Sequence, residues 1–149
     1  MANNESYSYE RFEHMNSPKR VSEIDYVQSL YKSMKIPDDL VLRFFRIAWP
    51  NFVLLDNRVF VADIFDRQRY EELRNSGHSE SSAQFWMNLL EITGVFDEMQ
   101  SQQAIEIAQI LSSSWNGKLD KEYDETAGRA RVIHDEATGE IFVAIGQPD

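Results

Sequence analysis

The chain of 149 residues contains no cysteine, so it can hold no disulfide framework, thiolate metal site or thiol nucleophile. Nor does it contain an apolar run of roughly 18 residues, the length that calls for a membrane helix. The first twenty residues, MANNESYSYERFEHMNSPKR, hold no apolar stretch, and no secretory leader is expected there. With cysteine absent as well, the expectation is a cytoplasmic protein. Phosphate cradles of the GxxxxGK[ST] and GxGxxG kinds are missing, as are HExxH and GxSxG. His14, His78 and His134 are widely separated in sequence, and neither a metal nor a cofactor is expected.

What is present is a globular composition: 42% of residues are hydrophobic and 12% aromatic. The charge is lopsided. Residues 1–76 carry 12 acids and 11 bases, whereas residues 77–149 carry 13 acids and 4 bases, so nearly all of the net −10 lies in the second half. Between Gly77 and Gly117 stand five acids, Glu80, Glu91, Asp97, Glu98 and Glu106, without a single Lys or Arg. Such a surface repels phosphate backbones and steers basic proteins toward itself, which argues against nucleic acid as a partner.

Periodicity gives the organisation. Residues 1–20 read as a flexible polar tail, with Tyr7, Tyr9 and Phe12 spaced to suit an extended segment. Residues 21–149 read as one α+β domain. A helix is expected over Val21–Lys35, capped by Ser22 with Asp25 three residues on, and carrying Ile24, Val27, Tyr31 and Met34 at helical spacing. A second, over Asp38–Ala48, carries stripes of Leu40, Phe44, Ile47 and of Val41, Phe45, Ala48; so apolar a helix is expected at the centre of the core. Asn51–Leu55 and Arg58–Ala62 flank Asp56-Asn57 as a hairpin. Helices are then expected over 63–77, over 81–93 closed by Gly94, and over 101–114 with Gly117 as its stop. The chain closes on a second hairpin, 130–134 with 140–145, in which Ile141, Val143 and Ile145 point inward. The sum is about five helices and two hairpins, which can join in one antiparallel sheet packed on the helices.

Several short patterns approach a chemistry and stop short of it. Asp120, Glu122 and Asp124 alternate like a calcium loop, but Glu125 stands where glycine is needed and Arg131 where the bidentate Glu belongs, leaving an acidic solvated loop. Ser29 and Lys32 match S-x-x-K without the companion motifs of that chemistry. Arg129 and Arg131 form a basic strip expected to pair with nearby acids. Trp49, Trp86 and Trp115 are expected to pack in the core, with Trp115 the most exposed of them because it precedes the helix stop at Gly117.

Function is therefore expected to be binding, not catalysis. The leading expectation is a small acidic module that docks a basic protein partner, as an inhibitor or immunity-type protein does when it neutralises a toxin or enzyme. Its contact residues would be Glu91, Asp97, Glu98, Glu106, Trp115, Asp120, Glu122, Asp124 and Glu125. Two alternatives accompany it. One is a small enzyme with a pocket between the terminal hairpin and the helices, using His134 or a buried carboxylate such as Glu91 or Glu106. The other is a homodimeric scaffold module that uses the apolar Leu40–Ala48 helix.

Overall fold

The computed structural model describes residues 7–149, so the first six residues of the tail expected over 1–20 lie outside them. The fold is mixed α+β, as the pattern implied. It has seven helices among the described residues and two separate antiparallel sheets. The chain divides into two compact units, one ending at Arg43 and the other beginning at Phe44.

The first unit holds helix α1 (Tyr9–Asn16), helix α2 (Glu23–Met34) and the start of helix α3 (Asp38–Ala48). An extended segment was expected where α1 forms. Ser8 caps the helix by accepting the Arg11 N–H. Tyr9 and Phe12, three residues apart, then fall on one side of it. Both rings reach Tyr26 of α2, with centroids 5.6 and 5.4 Å away. The start of α2 is the capping box read from sequence: Ser22 accepts the Asp25 N–H at 3.2 Å, and Asp25 accepts the Ser22 N–H at 2.8 Å. The bonds from the Ser22 backbone and side chain hold the Asp25 carboxyl below the usual carboxylate range. Lys35, in the left-handed region with φ of 50°, ends the helix.

The second unit begins with strands β1 (Phe52–Leu55) and β2 (Arg58–Val61). Asp56 and Asn57 both take positive φ (51° and 59°), as a tight two-residue hairpin turn demands. Helices α4 (Arg67–Asn75) and α5 (Glu80–Met87), strand β3 (Leu90–Glu91), the single turn α6 (Ile92–Val95) and the long α7 (Ser101–Glu122) follow. A 3₁₀ turn, Glu125–Ala127, leads into β4 (Ala130–Asp135) and β5 (Glu140–Ile145). The second sheet has the order β3–β5–β4, and the first hairpin stays apart from it.

The core lies between α7 and this sheet. Ala104, Ala108, Leu111, Trp115 and Leu119 of α7 bury against Ile92, Ile141, Val143 and Ile145. The inward face read for the terminal hairpin is thus the one observed. A smaller cluster of Phe60, Tyr70, Ala83 and Met87 joins β2 to α4 and α5.

Besides α1, three elements differ from the periodicity. The helix expected over 81–93 stops at Met87. There Asn88 turns its side chain onto β2, accepting the Val61 N–H at 2.8 Å and donating to the Val59 carbonyl at 3.0 Å. Gly117 does not end α7. The helix runs on to Glu122 because Trp115, Lys118 and Leu119 are all buried on its inner side, and this packing outweighs glycine's poor propensity. Lastly, α3 has no buried residue although its stripes suggested the centre of the core. No helix among the described residues is long and apolar enough to cross a membrane.

Candidate functional site

The expected contact residues fall into groups that the fold does not bring together as one loop. Asp97 and Glu98 are exposed between α6 and α7, and Glu106 is exposed on α7. None of the three forms an ion pair among the described residues. Glu91 ends β3, is half-buried, and accepts the Thr93 hydroxyl at 3.3 Å. Asp120 and Glu122 belong to the last turn of α7, while Asp124 and Glu125 begin the 3₁₀ turn, so the expected acidic loop is mostly helix. Two of its members are engaged by Arg129, which contacts Asp120 directly and lies 3.8 Å from Glu125. Pairing of the basic strip with acids thus holds for Arg129. Arg131 lies instead over the Phe85 ring, 5.8 Å from its centre.

Trp115 is a correction. Expected as the most exposed tryptophan, it is 1% exposed and donates its indole N–H to the Ile47 carbonyl at 2.8 Å. The reason is that α7 does not stop at Gly117: with the helix continuing, Trp115 falls on the line of Ala108, Leu111 and Leu119. Trp86 and Trp49 are also corrected, because both are exposed. Trp86 sits edge-on to Phe85, and Trp49 lies beneath the ammonium groups of Lys118 and Lys121.

His134 is exposed on β4 opposite Ile141, with no side-chain hydrogen bond among the described residues. Glu106 is exposed and so is not the buried carboxylate that an acid–base role would ask for. No group of three or more His, Asp or Glu that could hold a metal occurs among the described residues.

The polar side chains that are buried serve the fold. Gln84 donates to the Val59 carbonyl at 3.0 Å and the Ala127 carbonyl at 2.7 Å, and accepts from Arg58 at 3.2 Å. Gly128 borders this knot with φ of 140°; a Cβ there would come within 2.6 Å of Gln84 and Ile145. Lys118 is buried and donates to the Pro50 carbonyl at 2.6 Å. All buried side-chain polar atoms among the described residues have a hydrogen-bond partner.

What remains unsatisfied is apolar. On α2, Ile24, Val27, Tyr31 and Met34 are 80, 63, 39 and 52% exposed. They share one face, while α1 covers the Tyr26 side. Beside this face lies a hollow of about 680 Å³ lined mainly by apolar side chains, Ile24, Val27, Leu30, Tyr31, Ile36 and Val41, together with Glu23 and Gln28. The Tyr31 hydroxyl donates to the Asp38 carboxylate, which raises the phenol's pKa above its ordinary value and ties the end of α2 to the start of α3. Leu40 and Leu42 of α3 are exposed as well. Isolated surface hydrophobics are ordinary, whereas contiguous exposed apolar patches recur at interaction surfaces and ligand-binding grooves.

No protein-family model, curated protein or solved structure matches this chain.

Proposed function

We propose that the protein is a protein-binding module and that its partner docks an amphipathic helix on the apolar face of α2. The observation that carries this reading is the stripe of Ile24, Val27, Tyr31 and Met34, exposed beside a hollow with apolar walls. A helix laid in a groove is read through anchors at i, i+3 and i+7, the spacing this stripe presents. Burying two such side chains contributes roughly 3–6 kcal/mol, against which the costs of association are set.

The test is affinity capture from native lysate with the tagged chain and its Val27→Asp variant. The reading expects a protein retained by the first and lost from the second. Equal retention by both, or by neither, contradicts it.

A second reading keeps the acidic surface. Asp97, Glu98 and Glu106 are exposed carboxylates without ion-pair partners among the described residues, which supports an inhibitor-type binder that steers a basic toxin or enzyme toward itself. Reversing charge at Glu98 and Glu106 is expected to slow association about tenfold at low salt and to change little at high salt. An association rate unchanged at low salt contradicts this second reading.

A further inference from the structure

The next step rests on the docking reading and names the occupant. We propose that the helix received by α2 is α2 of a second copy of this chain, packed antiparallel about a two-fold axis level with Ser29.

The stripe itself is self-complementary. Its members stand at 24, 27, 31 and 34, so the spacing of three, four and three residues is that of the a and d positions of a coiled-coil seam. It is also symmetric about residue 29. Turning a second α2 end for end sets Ile24 against Met34 and Val27 against Tyr31, then repeats both pairs across the axis. A two-fold contact requires this reciprocity, because each residue must meet its counterpart in both directions.

Charge selects the antiparallel sense. Glu23 and Asp25 lie in the first turn of α2, Lys32 in its last turn and Lys35 at its cap, and no charged residue stands between Asp25 and Lys32. An antiparallel pair places the acidic end of one helix level with the basic end of the other and opposes the two helix dipoles. A parallel pair would stack acid on acid and base on base. The whole chain carries −10, and two copies repel over most of their surface. Residues 21–36 carry two acids and two bases, so this face is one where like-charged copies can approach.

Size sets the strength. A helix of 12 residues is about 18 Å long, so its seam alone is short of the ~1,200 Å² that stable complexes bury. The apolar hollow beside α2 supplies further surface for the partner's side chains. The dimer is accordingly expected to be dynamic, with a dissociation constant on the order of micromolar.

Sedimentation velocity of the full chain from about 1 µM to about 1 mM is the experiment. The wild type is expected to pass from monomer to dimer. Val27→Asp is expected to weaken the dimer at least about tenfold. Ile110→Asp, at an equally exposed apolar residue of α7, should leave it unchanged. Circular dichroism of both variants reports that they remain folded. Since the chain has no cysteine, Ile24→Cys and Met34→Cys each introduce a unique thiol. Oxidising a mixture of the two should give the mixed disulfide in preference to either like pair.

A monomer at every concentration overturns the proposal, as does a dimer indifferent to Val27→Asp or a dominant disulfide between two copies of Ile24→Cys. These failures are distinguishable from failure of the docking reading. A chain that stays monomeric yet captures a different protein through Val27 refutes the second copy and keeps the docking face, whereas one that captures nothing refutes both.

Discussion

Asn88 and Gln84 show what a side chain can do in place of a strand. Asn88 meets the backbone of β2 as a neighbouring strand would, taking the Val61 N–H and giving to the Val59 carbonyl. Its replacement by Ala leaves a buried N–H without a partner and is expected to cost about 1–3 kcal/mol, read by urea denaturation. Trp115→Ala removes the largest side chain of the core and is expected to cost about 3–5 kcal/mol in the same measurement. Neither role was legible in the sequence, because both depend on which distant backbone segment arrives beside the residue. Tyr70 offers a pH test. Burial, with the Asp56 carboxylate it donates to at 2.9 Å, pushes its pKa up to about 12. A folded-state pKa above the unfolded value of 10.0 gives stability that is fully present below pH 10.0 and lost as pH rises toward 12. Tyr70→Phe should remove that part of the alkaline transition, and an unchanged alkaline midpoint would count against the assignment.

At the scale of elements, local signals were legible where local chemistry decided the outcome. The Ser22–Asp25 capping box, the Asp56-Asn57 turn and the alternation of Ile141, Val143 and Ile145 all stand as read. The errors arose where tertiary burial overrode a local preference. Gly117 carries the signature of a helix stop, yet α7 passes through it with open space where a Cβ would lie. Gly117→Ala is therefore expected to stabilise the protein by up to about 1 kcal/mol, seen as a higher denaturation midpoint. A glycine acting as a left-handed cap would give the opposite sign. The start of α5 carries a second pH-dependent contact. Asp149 accepts the Ser79 N–H at 3.0 Å, and hydrogen bonds from the Ser79 side chain and backbone hold its carboxyl below the usual range. A depressed carboxylate contributes stability above its unfolded pKa and loses it as pH falls through the folded one. Asp149→Asn should flatten the acid limb of the stability profile accordingly.

For the molecule as a whole, the α+β class was legible from the switch between helical and alternating periods, and so was the place of the terminal hairpin. The proposed docking face was only half legible. The stripe on α2 and the apolar character of α3 both appear in the sequence, but a stripe of this kind reads the same whether it faces its own core or another chain. Here α2 and α3 have no buried residue, while the core is built from α7 and the second sheet. The acidic half of the chain, prominent in composition, offers exposed carboxylates but no apolar anchor at Trp115, which is spent on the core. The account therefore turns on whether the α2 face is covered in the working protein. A photo-crosslinking residue at position 27 of the full chain, activated in native lysate and followed by mass spectrometry, tests this most directly. The account expects one dominant cross-linked product, joined through α2 of a second copy and abolished by Ile24→Asp on the same face. No product, or a product that Ile24→Asp leaves unchanged, would contradict it.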